Sequence, residues 1–162
     1  MRRRFDIWRR RLLLLSLVWG LGLSASWGQS ITVNNDLSFG DVFPGIPKSI
    51  AKTTPGSAAE FLISGTAGSE VSLDFTLPTY MNFGGYNMQL IFRDTDCALD
   101  SSAAPDQTDP GADNLDPWHT ITYRLGSYGL TVWLGGTVVP RLNQRQGSYT
   151  ALIVLTVAYT GN

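Results

Sequence analysis

Seven aspartates, Asp94, Asp96, Asp100, Asp106, Asp109, Asp113 and Asp116, fall within twenty-three residues that contain no lysine or arginine. The second half, Asp106-Gln-Thr-Asp109-Pro-Gly-Ala-Asp113-Asn-Leu-Asp116, spaces four carboxylates with turn-forming residues. Oxygen ligands on an adaptable loop are what Ca²⁺ requires, about six to eight of them. Asp106, Asp109, Asp113 and Asp116 are therefore candidate calcium ligands, and a bound cation would relieve their mutual repulsion. The run lacks the closing glutamate of the helix-flanked twelve-residue calcium loop. The competing reading is a solvated, mobile loop, since Ser, Ala, Pro and Gly fill the gaps between charges.

The remaining residues able to do chemistry are sparse. His119 is the single histidine, so a His-based metal centre has no second imidazole in the chain. No Gly-x-Ser-x-Gly elbow accompanies it. Glu60, Glu70 and Asp74 have no spacing that pairs them as acid and base. No enzymatic activity is expected, and no cofactor beyond a candidate calcium ion. Trp118, Trp133, Tyr80, Phe83 and Tyr86 could form a sugar-stacking surface, although aromatics in a small domain commonly fill its core.

The N-terminus bounds where such a protein works. Six arginines occupy the first eleven positions, an apolar run follows from Leu12 to Leu23, and small residues follow that. This is the layout of a secretory signal peptide, with cleavage expected after Gly28 or, alternatively, after Ser26. An uncleaved anchor is the competing reading, but the apolar run is short against the ~20 residues of a membrane span. Residues 1–28 are thus expected to be the signal and residues 29–162 one exported domain. That domain keeps six basic against twelve acidic residues, a net charge of −6. Such a balance argues against nucleic acid and anionic membranes as partners, and no later apolar run predicts an integral membrane segment. Cys97 is the single cysteine, so no disulfide framework is available. It is a buried packing residue, a free thiol, or half of an intermolecular bridge.

The elements that must carry these residues read as strands. Gly147 to Tyr159 alternates throughout: Tyr149, Ala151, Ile153, Leu155, Val157 and Tyr159 give one apolar face, and a mixed face lies between them. It predicts one long final strand. Ile31 to Val42 predicts a strand interrupted at Asn34 and Asn35. Further strands are expected near 48–54, 59–64, 71–77, 87–93, 120–125, 130–134 and 137–139, with 59–64 and 71–77 forming a hairpin. Short strands at spacings near ten residues, jointed by Gly and Pro, predict an all-β antiparallel sandwich.

Four motifs in order add a resemblance: Leu37-x-Phe39-Gly40-x-Val42-x-Pro44-Gly45, Phe61-x-Ile63-Ser64-Gly65-Thr66-x-Gly68, Gly135-Gly136-Thr137, and Gly147-x-Tyr149 through Tyr159. Together they resemble a bacterial family of exported domains of unknown function, similar in layout to spore coat protein U domains and archaic chaperone-usher pilins. The resemblance implies an immunoglobulin-like, pilin-like sandwich in the periplasm, at the cell surface or in fimbria-like fibres, secreted by a bacterium and structural or adhesive in role. It further implies that Gly147, Tyr149, Ile153, Leu155, Val157 and Tyr159 form an interaction strand, offered to a periplasmic chaperone or a neighbouring subunit by β-strand addition. Thr160, Gly161 and Asn162 follow the aromatic, unlike the pilin pattern, and only Gln29 and Ser30 precede the first strand after the expected cleavage. Either Ile31 to Phe39 is itself a donated strand, or the sandwich is complete. The alternative is a stand-alone secreted binding module with a calcium- or glycan-binding loop.

Overall fold

The computed structural model describes residues 28–162; the expected signal, apart from Gly28, lies outside them. Among the described residues there are twelve strands and no helix. They are β1 (Ser30–Asn35), β2 (Lys48–Ile50), β3 (Ala59–Ser64), β4 (Glu70–Thr76), β5 (Tyr80–Phe83) and β6 (Tyr86–Ile91), followed by β7 (Cys97–Asp100), β8 (Ala112–Leu115), β9 (Ile121–Arg124), β10 (Leu130–Leu134), β11 (Gly136–Val139) and β12 (Val154–Tyr159).

All pairings are antiparallel. A front sheet runs β1-β3-β10-β7-β8, a back sheet β12-β4-β9, and a corner sheet β2-β11-β6-β5. The expected all-β sandwich is what forms, with the third sheet made by strands that change partners along their length. The clearest change is at Gly135, between β10 in the front sheet and β11 in the corner sheet. A Cβ there would sit 2.5 Å from the Ile50 carbonyl oxygen and 2.7 Å from the Lys52 nitrogen, so the crossing backbones require glycine.

The core follows from strand alternation. On β3, Phe61 and Ile63 point inward with Ala59; on β4, Val71 and Leu73; on β10, Leu130, Val132 and Leu134. The Phe61 and Phe75 rings meet edge-on with centroids 6.1 Å apart, which places β3 of the front sheet opposite β4 of the back sheet. The predicted β3–β4 hairpin is therefore wrong. The two strands face each other across the core, because both carry an apolar face that needs covering, and β3 takes β1 and β10 as its in-sheet neighbours while β4 takes β12 and β9.

Two other expectations need correction. The first strand ends at Asn35 with a register shift between Val33 and Asn35, and residues 36–42 do not resume it; Phe39 still reaches the core from that loop. The final strand is also not continuous: β12 spans Val154–Tyr159, while Thr150 makes a separate bridge to Asn82 of β5. The alternation persists through both pieces because the segment runs past two sheets in succession, first β5 and then β4.

Candidate functional site

The structure gives the two candidate regions different standing. The C-terminal segment forms one edge of the back sheet, with β4 on one side of β12 and, among the described residues, no strand on the other. The Thr160 amide donates to the Glu70 carbonyl at 3.1 Å. Antiparallel pairs alternate between bonded and non-bonded, so this contact places Val154, Thr156 and Ala158 in bonded pairs with β4. It turns the backbone groups of Leu155, Val157 and Tyr159 toward the open side. In agreement, the Val157 carbonyl accepts a hydrogen bond from the Gln29 side chain, just ahead of β1.

That contact brings the open edges of the two sheets to the same flank. β1 pairs Ile31 with Ile63 and Val33 with Phe61, so both side chains share the core-facing side of the front sheet. Yet Ile31 is 38% exposed and Val33 57%. On the opposite lip, Leu155 is half-buried, Val157 buried, and Tyr159 partly open, its hydroxyl accepting from the Thr66 amide at 2.9 Å.

The other residues of the expected interaction strand lie beside the corner sheet. Tyr149 packs on Phe83 with centroids 5.7 Å apart. Its hydroxyl donates to the Arg145 carbonyl at 2.8 Å and accepts from Gln144 at 2.7 Å. Gly147 lies against the Phe83 ring, leaving no room for a Cβ. Ile153 packs on the core just before β12. The six residues thus share a path but not one strand.

The acidic segment is ordered by its own backbone. It contributes β7 and β8, neither expected from sequence, with the loop from Ser101 to Gly111 between them. Asp100, only 6% exposed, accepts from the Ser102 amide at 2.7 Å and the Asp106 amide at 3.1 Å. Burial pushes its carboxyl upward, but those bonds outweigh it and hold the group below the usual aspartate range. Asp106 accepts from the Thr108 hydroxyl and amide at 2.7 and 2.8 Å, and these bonds lower its pKa. Asp113 is lowered chiefly by Lys52, whose ammonium lies 2.8 Å away. Asp116 is lowered by the Trp118 amide and then by His119, at 2.8 and 2.7 Å.

The four candidate calcium ligands are consequently not brought together. Each of Asp106, Asp113 and Asp116 serves a different local turn or ion pair, and among the described residues no group of three or more His, Cys, Asp or Glu side chains converges. The aromatic residues are dispersed as well. Trp118 meets Phe92 edge-on and donates to its carbonyl, Trp133 is buried in the front sheet, and Tyr80, Phe83 and Tyr86 lie on the β5–β6 hairpin, with Arg145 over the Tyr86 ring. Cys97 is fully buried and free, and burial raises its thiol to about 12, the behaviour of a packing residue.

Residues 47–159 match the protein family described as Domain of unknown function (DUF4402). The chain belongs to that family. The DUF4402 match closes on Tyr159, the last residue of β12, and opens after β1, so the strand on the opposite lip precedes the matched region. A search of curated proteins finds no match to the chain. Among the described residues of this DUF4402 protein, no helix is long and apolar enough to cross a membrane.

Proposed function

We propose that this protein is an exported structural or adhesive subunit, of the fimbrial or cell-surface type, which associates by β-strand complementation at the flank between β1 and β12. One observation carries the reading: two strand edges without a strand partner among the described residues meet on one side, with Ile31 and Val33 still open to solvent over the core face. An edge strand presents a ready template for another chain, and main-chain pairing with alternate side chains in apolar sites is how strand addition gains affinity and specificity. The partner is a periplasmic chaperone or a neighbouring subunit, as in the chaperone-usher pilins and spore coat protein U domains whose layout the motifs resemble. β1 is the strand most readily exchanged, because its side chains from Ser30 to Asn34 are all exposed and it precedes the family match. The reading includes no catalytic step.

The test is size-exclusion chromatography and thermal unfolding of the protein produced from the full chain, alone and with a synthetic peptide of the sequence from Ser30 to Phe39. Concentration-dependent oligomers, or incorporation of the peptide with a raised unfolding temperature, are expected. A cooperatively melting monomer at every concentration, indifferent to the peptide, would overturn strand complementation.

A further inference from the structure

A cleft of about 640 Å³ lies on the outer face of the front sheet, on the side away from the core. Its size falls within the ~300–1,000 Å³ of small-molecule sites. The strand period explains its floor: on β3, Glu60 and Leu62 alternate with the inward Phe61 and Ile63, and on β10, Thr131 and Trp133 alternate with the inward Leu130, Val132 and Leu134. The loop from Ser102 to Thr108, held by Asp100 beneath it, forms one wall. Tyr128, 71% exposed, stands at the rim.

We propose that this cleft is a binding site for a neutral oligosaccharide. Glu60 is its centre. One carboxylate oxygen accepts from Asn34 of β1 at 3.0 Å, and the other accepts from the indole of Trp133 at 3.1 Å. Trp133 is only 2% exposed, so the carboxylate is held in place by a buried donor. A carboxylate oxygen has two acceptor sites, which leaves each one able to receive a sugar hydroxyl. Around it the lining supplies the hydroxyls of Thr108 and Thr131, the carboxylate of Asp106 and the apolar surface of Leu62.

The charge of the lining selects the ligand class. No Lys, Arg or His lines the cleft among the described residues, so an anionic ligand would meet carboxylates without a counter-charge. A polyamine would satisfy the carboxylates but leave the Thr131 hydroxyl and the apolar floor without partners, the Thr108 hydroxyl already being donated to Asp106. A sugar ring has hydroxyl edges that both donate and accept and C–H faces that stack on an aromatic ring, and the cleft presents a partner for each. The site lies apart from the β12 edge and shares with the complementation flank only Asn34 of β1; Glu60, Trp133 and Tyr128 stand on other segments, so the proposal does not rest on strand complementation.

The test is isothermal titration of the protein produced from the full chain with cellotetraose, chitotetraose and mannotetraose as neutral probes. Spermidine and a heparin-derived tetrasaccharide are the charged comparisons. At least one neutral probe is expected to bind, with Tyr128→Ala weakening it by about tenfold or more while the unfolding temperature stays unchanged, and Glu60→Gln weakening it as well. If Glu60→Gln disturbs folding, the exposed Tyr128→Ala variant still decides. Absence of binding by all three neutral probes, binding of only a charged probe, or saccharide binding unaltered by Tyr128→Ala would overturn the proposal.

Discussion

Replacing Asp100 with asparagine tests what orders the acidic segment. The side chain is 6% exposed and its two oxygens accept the Ser102 and Asp106 amides at 2.7 and 3.1 Å. A hydrogen bond to a charged group contributes about 1.5–3 kcal/mol and a neutral one about 0.5–1.5. Asp100→Asn keeps one acceptor at neutral strength and turns an NH₂ toward the other amide. Over the two bonds the loss is therefore roughly 1.5–5.5 kcal/mol at the loop, which corresponds to a drop of at least about tenfold in the protection of those amides against hydrogen exchange. The folded-state pKa of Asp100 is depressed, so its contribution is present above the unfolded value of about 3.9 and is lost as pH falls through the folded one. Asp106 and Asp113 are shifted the same way. Amide exchange followed by NMR between pH 6 and pH 3 should show the wild-type loop losing protection as the acid limit is approached, with protection in the variant already reduced at pH 6. Equal protection of Ser102 and Asp106 in the two proteins at pH 6 would refute the reasoning.

Two further perturbations probe the frame around the sites. Gly135→Ala introduces a Cβ against the Ile50 carbonyl and Lys52 nitrogen, both backbone, and should cost roughly 1–3 kcal/mol or more in urea unfolding; an unchanged midpoint would mean that the front and corner sheets tolerate separation there. Cys97, buried with its thiol raised to about 12, should resist a thiol-specific reagent in the folded protein and react only at the rate of unfolding, whereas rapid labelling at neutral pH would show that the strand pair β7–β10 opens locally.

The fold class was readable because alternation is a local signal. Phe61 and Ile63, Val71 and Leu73, and Leu155, Val157 and Tyr159 all stand on the core-facing side of their strands, as the period-two pattern requires. What alternation cannot say is which strand lies beside which. β3 and β4 look like a hairpin because Gly65 to Gly68 could close one, yet an apolar face is satisfied equally by a neighbour across the core, and that is the arrangement taken. For the same reason Gly147 to Tyr159 reads as one strand while passing two sheets: a pattern with period two registers burial on one side and is blind to the change of partner from Asn82 to Thr76.

The acidic segment was opaque for a different physical reason. Clustered carboxylates have three ways to lower their energy: a bound cation, exposure to water, or donors from the backbone. The spacing of Asp106, Asp109, Asp113 and Asp116 is compatible with all three, and composition weighs only the first two. The third depends on where the amides of Ser102, Asp106, Thr108, Asn114 and Trp118 point, which is fixed by the turns themselves. Lys52, sixty-one residues before Asp113, supplies the one cation that reaches the segment as an ion pair with a carboxylate among the described lysines and arginines. No local pattern marks that pairing, because it arises from the close approach of the segment after β2 to β8. The carboxylates here serve as turn-building acceptors, and their ordering of the Ser101 to Gly111 loop is what gives the outer face of the front sheet a wall and a cleft.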